Sequence, residues 1–147
     1  MSSKHVHKPD EKGQSLVEFA ATVVVLLILL AGTVDAGRAF FTFMALRDAV
    51  QEGALYGSYN PTSTSLIINR VERASNLTQS LTNDPEVTLN IEVDLTGSAC
   101  VGHGITVRAT YENFRITMPF LGTVLGSQEV PISASVTDTI LVPPCPL

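Results

Sequence analysis

The sequence predicts an α+β fold. One long N-terminal helix is expected to pack through its C-terminal half on a small antiparallel β-sheet, beside a second, short helix. Three observations carry this expectation. An uncharged apolar run from Phe19 to Val34 continues past Asp35 into an amphipathic pattern, with no proline after it until Pro61. Helical spacing resumes after a break at "NPTSTS", Asn60 to Ser65. From Glu86 the apolar period falls to two, the mark of half-buried strands.

The first helix is read from Gln14 to Tyr59. Its uncharged run of 16 residues rises about 24 Å, short of a hydrocarbon core of roughly 30 Å. Past Asp35, the apolar residues Phe40, Phe43, Met44, Val50 and Leu55 recur at mixed three- and four-residue spacings, which leaves one face to bury. Ala45, Ala49, Gly53 and Gly57 recur every four residues. Such a stripe lets another backbone approach closely. It suits either the chain's own globular part or a neighbouring helix. Gly32 and Gly37 mark the junction of the two halves, each weakening the helix by up to ~1 kcal/mol relative to Ala.

Beyond the break, Ser63 and Thr64 are N-cap candidates for one short helix carrying Leu66, Ile67, Arg70, Val71, Ala74 and Leu77. "TNDP" (Thr82 to Pro85) is a turn. Three strands follow. Val87 to Leu95 alternate with Glu86 to Asp94, and Ile105 to Tyr111 alternate with Thr106 to Glu112. The third runs through Ile132, Ala134 and Val136 toward Val142. A sheet with one apolar face needs a cover, which the amphipathic half-helix and the short helix supply. The tail "LVPPCPL" is neither helix nor central strand.

At 147 residues the chain holds one membrane or filament helix and one small domain. A net charge of −5 with no basic patch argues against nucleic acid. All three lysines (Lys4, Lys8, Lys12) precede the apolar run, and every later basic residue is Arg. A basic head stays cytoplasmic, so the bulk of the chain is placed across the membrane. Cys100 and Cys145 then stand where a disulfide forms. A bridge would close a loop of about 45 residues and stabilise by about 4 kcal/mol on the chain-entropy estimate. Two free thiols are the alternative. Cys100 and His103, three apart, lack a second ligand pair for zinc. No phosphate loop or nucleophile elbow is present. The expectation is a protein with no enzymatic activity, no metal and no cofactor.

The segment "GQSLVEFAATVVVLLILLAGTVDAGRAFFTFMALRDAVQEGALYGS" carries a resemblance. A basic head, a glycine and "QSLVEF" ahead of an apolar helix look like a type IV prepilin signal. Through "GQSLVEFA" (Gly13 to Ala20), "DAGRAF" (Asp35 to Phe40) and "ALRDAVQEGALYG" (Ala45 to Gly57), the chain resembles the TadE-like family of minor pseudopilins from tight-adherence (Tad, or Flp) pilus systems. Weaker matches follow in "ITVRATY" (Ile105 to Tyr111), "FLG" (Phe120 to Gly122) and "ISASVT" (Ile132 to Thr137). The resemblance implies a type IV pilin-like fold with three parts: a cytoplasmic leader (1–13), a transmembrane and assembly helix (14–59) and an extracytoplasmic α+β domain (60–147). It implies cleavage between Gly13 and Gln14 by a membrane aspartyl prepilin peptidase, which makes Glu18 the fifth mature residue. Phe19, Val24, Leu27 and Leu30 would then lie on the hydrophobic assembly helix. The implied partners are that peptidase, other pilins or pseudopilins, the inner-membrane assembly platform and membrane lipid. Gln14 stands where type IV pilins commonly begin with Phe. Major Flp pilins are much shorter, so the long β-rich remainder favours a minor subunit.

Physical chemistry gives Gly13 and Glu18 roles of their own. A peptidase cleft needs a small, extended residue before the cut, and glycine meets that need. In the intact chain Gly13 also suits a helix start, with Ser15 and Glu18 spaced as a capping box. A carboxylate inside lipid costs about 2.5–3.5 kcal/mol at depth and less near the interface. Cleavage creates an α-ammonium that offsets such a charge, so the amino terminus of one subunit pairing with Glu18 of its neighbour would set axial register. Two competing readings remain: a secreted protein cut after Ala36 in "VDAG", and an unprocessed single-span anchor.

Overall fold

The computed structural model describes residues 11–118, 122–123 and 126–145, with side chains from residue 13 onward. Residues 1–10 of the expected leader lie outside the described residues, as do Phe120 and Leu121 of the "FLG" match. Helix α1 (Glu11–Tyr59) is followed by α2 (Thr64–Glu72), α3 (Asn76–Asn83), β1 (Leu89–Thr96), β2 (Gly104–Arg115) and β3 (Glu129–Thr139). The strands form one antiparallel sheet in the order β1-β2-β3. The α+β class expected from sequence is the class observed.

Helix α1 begins at least three residues before Gln14, so Ser15 lies inside the helix rather than at its cap. The capping-box reading of Ser15 and Glu18 does not hold for the intact chain. The single short helix expected after the break is two helices. Ser75 starts α3: its side chain accepts the Thr78 backbone N–H at 3.1 Å, while its own N–H donates to Thr78 Oγ1 at 3.0 Å. This reciprocal cap satisfies two donors that a continuous helix would have bonded internally. The chain therefore turns at Arg73–Ser75 while Leu81 of α3 still reaches the core.

The strands also differ in extent from the alternation pattern. Residues 86–88 lie outside the ladder, and the Asn113 side chain bonds two of their backbone groups. It accepts from Thr88 N–H at 2.9 Å and donates to the Glu86 carbonyl. Asn113 lies where the β2–β3 register shifts between Tyr111 and Phe114. This irregularity lets β2 run on to Arg115. Opposite it sits Pro131, on an edge strand where a missing N–H is tolerated.

One core joins these layers. Leu46, Ala49, Val50 and Ala54 of α1 meet Ile67 and Val71 of α2, with Ile105, Val107 and Ala109 of the central strand beneath them. The helix approaches closely because Gly53 and Gly57 carry no side chain. A Cβ at Gly53 would stand 2.5 Å from Val71 Cγ2, and one at Gly57 would stand 2.6 Å from Ile105 Cδ1. At the far end of the sheet, Leu141 N–H donates to the Ser58 carbonyl at 2.8 Å and Val101 N–H to the Pro143 carbonyl at 2.9 Å. Cys145 is disulfide-bonded to Cys100, 45 residues away, with the Cα atoms 4.9 Å apart. The proline-rich tail is thus fastened across the end of α1 and the β1–β2 loop.

Candidate functional site

The first half of α1 stands clear of the globular part. Phe19, Val24, Leu27 and Leu30 are between 55% and 68% exposed. None of the most apolar 18-residue window is buried, and this helix is long and apolar enough to cross a membrane. Covering a Leu, Val or Phe side chain is worth about 1.5–3 kcal/mol. A rod carrying this many of them demands an apolar surrounding.

At the rod's beginning, Gly13 is helical and exposed, with open space where a Cβ would project. Gln14 Nε2 donates to Glu18 Oε1 at 3.2 Å, and Thr22 Oγ1 donates to the Glu18 carbonyl at 2.8 Å. Glu18 itself is exposed. The structure brings Gln14 and Glu18 together across one helical turn, with Gly13 directly before Gln14.

The rod's other end holds a site that sequence reasoning missed. Asp35, the first charge after the apolar run, is buried at 6% exposure. Its Oδ2 accepts two backbone N–H groups, from Thr117 at 2.7 Å and Met118 at 2.6 Å. Its Oδ1 faces Arg38 Nη1 at 3.3 Å. The same guanidinium donates to Thr117 Oγ1 at 2.9 Å and lies 5.3 Å from the Phe114 ring centroid. Asp35 therefore clamps the segment after β2 onto the helix. Next to the clamp, Met118 packs on Gly32, where an added Cβ would be 3.2 Å from its sulfur. Beside them lies an apolar pocket of about 240 Å³. The three-residue spacing in "DAGR" signals an ion pair on one helical face. Nothing local signals that the segment after β2 would deliver backbone donors to it.

The remaining sequence-predicted residues lie elsewhere. Ala49, Gly53 and Gly57 are buried against the chain's own α2 and β2, and Ala45 is half-buried. Of the two uses open to this stripe, it serves the internal one here. The sulfurs of Cys100 and Cys145 lie near His103, but they are bonded to each other. A disulfide offers no thiolate to a metal. A polar groove of about 400 Å³ runs between α2 and α3, lined by Asn69, Glu72, Arg73 and Gln79 among others.

The family model described as TadE-like protein matches residues 13–55. The match spans Gly13, Glu18, the apolar run, the Asp35–Arg38 pair and Gly53, so the family resemblance is shown over this helix. No curated protein and no solved structure matches the chain.

Proposed function

We propose that the chain is a minor pseudopilin that takes part in assembling a Flp/Tad-type pilus or secretion pseudopilus and so supports adherence. The observation that carries the reading is the exposed apolar rod, matched to the TadE-like family and rooted through its second half in a small α+β domain. In this reading a membrane aspartyl prepilin peptidase removes residues 1–13 on the cytoplasmic side. Residues 14–59 then hold the protein in the cytoplasmic membrane, and residues 60–147 lie outside it. The position of the disulfide in the outer part agrees with an oxidising compartment.

Glu18 is the assembly group in this account. Its partner in the single chain is the neutral Gln14 amide. Cleavage places an α-ammonium on Gln14 itself, and the same group on an adjacent subunit becomes a charged partner for Glu18. A pair formed in low-dielectric surroundings is far stronger than one in water. Subunits stacked one step out of register would leave the carboxylate unpaired in lipid.

The amino-terminal residue of the membrane-fraction protein tests the reading, by intact mass or sequencing. Gln14 is expected. Gly37 would indicate secretion after signal-peptidase cleavage, and Met1 an anchor that is never processed. Either result overturns the assignment.

A further inference from the structure

Residue Gly32 belongs to the uncharged run, yet Met118 of the globular part packs directly upon it. If that run crosses the bilayer, the segment after β2 reaches the level of the membrane. Three further observations bear on what it meets there. Asp35, the charge that would end the span, is buried under the Thr117 and Met118 N–H groups rather than turned to the outside. The apolar exterior of α1 resumes beyond it, with Phe40 and Phe41 60% and 72% exposed. In sequence, Ile116 to Gln128 carries no charged residue, whereas Arg115 and Glu129 bracket it.

We propose that the β2–β3 end of the globular domain rests in the headgroup–acyl boundary of a phospholipid bilayer, where Thr117 and Met118 cap Asp35 and extend the lipid-facing span to Gly37. The inference rests on the membrane-spanning reading above and deepens it. With Asp35 covered, the stretch from Phe19 to Gly37 rises about 28 Å, close to a hydrocarbon core of roughly 30 Å. Most of the shortfall of the uncharged run alone is thereby made up. Arg38, with its side chain 51% exposed, is placed to carry its charge outward to the headgroup phosphates while its stem stays in apolar surroundings. Arg115, 77% exposed and 3.7 Å from Glu129 Oε1, stands at the same end of the sheet as an ion pair open to the headgroups. The pocket walled by Gly32, Ala36, Ala39, Phe114, Ile116 and Met118 opens at this level, and its apolar lining suits the end of an acyl chain. The surface is continuous with the exposed helix, so one lipid phase covers both.

The test uses the full chain in phosphatidylcholine–phosphatidylglycerol vesicles at high lipid excess. The native cysteines are bridged, so one introduced cysteine carries an environment-sensitive fluorophore. The positions are Thr117→Cys and Arg115→Cys at the β2 end, Asp94→Cys on exposed β1 and Val24→Cys in the apolar run. Thr117→Cys gives up the Arg38 bond to the hydroxyl but keeps both backbone N–H bonds to Asp35 Oδ2. Quenching at 117 or 115 several-fold above that at 94, and stronger from shallow than from deep spin-labelled lipid, is the expected result. Quenching at neither, with Val24 quenched by deep spin labels, overturns the inference and leaves the membrane span standing. Fluorophores shielded from water at 117 and 115 but untouched by lipid quenchers indicate protein packing and also overturn it. An unquenched Val24 removes the membrane reading and the inference together.

Discussion

Replacing Asp35 separates the parts of the clamp at the head of the globular domain. Both backbone donors converge on one oxygen, Oδ2, whereas Arg38 addresses Oδ1. In Asp35→Asn the amide oxygen takes the Oδ2 place and keeps the Thr117 and Met118 bonds, now between neutral groups. Its NH2 then faces the Arg38 guanidinium, donor against donor. Charge-assisted bonds are roughly twice as strong as neutral ones, so the loss is about 1–2 kcal/mol. Asp35→Ala removes the acceptor altogether and leaves two N–H groups without it. Hydrogen bonds to charged groups are worth about 1.5–3 kcal/mol each. Solvent access at exposed Thr117 offsets part of this, which leaves a loss of about 2–4 kcal/mol. Amide hydrogen exchange at Thr117 and Met118, measured on the full chain in lipid nanodiscs, reads the opening directly. At 1.4 kcal/mol per factor of ten, exchange should quicken roughly 5- to 30-fold in Asp35→Asn and roughly 30- to 700-fold in Asp35→Ala. Equal acceleration in the two variants, or less than about two-fold in either, would refute the assignment of Oδ2 as the shared acceptor.

The packing stripe predicts opposite outcomes at two glycines. Gly53→Leu drives carbon into buried Val71, whose χ1 is stiff in a helix, and should cost about 3 kcal/mol by overpacking. Gly37→Ala meets nothing within 4 Å and should gain up to ~1 kcal/mol in helix propensity. Thermal melts of the two variants in detergent check the contrast, which fails if both shift the same way. Reducing the Cys100–Cys145 bond, or Cys145→Ser, frees a 45-residue connection and should lower stability by about 4 kcal/mol. Urea titration with and without reductant measures this, and a change below about 1 kcal/mol contradicts the chain-entropy account. Glu18→Ala should still be cut to Gln14 but should no longer co-isolate with the other pilus proteins. Normal assembly of that variant would dismiss the charge-pairing role.

Much of the fold was legible because its elements are written in local periods. The apolar run without proline specified α1, and the two-residue alternation around Ile91, Val107 and Ala134 specified strands that pair in one sheet. The breaks were harder to read. Ser75 opens α3 through a reciprocal cap with a threonine, where the familiar pattern asks for Glu or Gln. The Asn113 amide bonds the Thr88 N–H and the Glu86 carbonyl, 25 and 27 positions away. Side-chain capture of this kind leaves no periodic trace.

The candidate site divides along the same line. Gly13, Gln14 and Glu18 are neighbours on one stretch of helix, so the sequence by itself determined their spacing and their place at the head of an apolar rod. It also determined that the rod would need an apolar surrounding, because no local arrangement hides residues that are apolar on every side. The burial of Asp35 was decided only in three dimensions, by donors 82 and 83 residues away. So was the use of Gly53 and Gly57, whose bare backbones lie against Val71 and Ile105 rather than a foreign helix. Hydrophobicity and helical period are properties of a short segment. Which buried carboxylate finds an N–H, and which small residue finds a neighbour, depends on how distant segments close around one core.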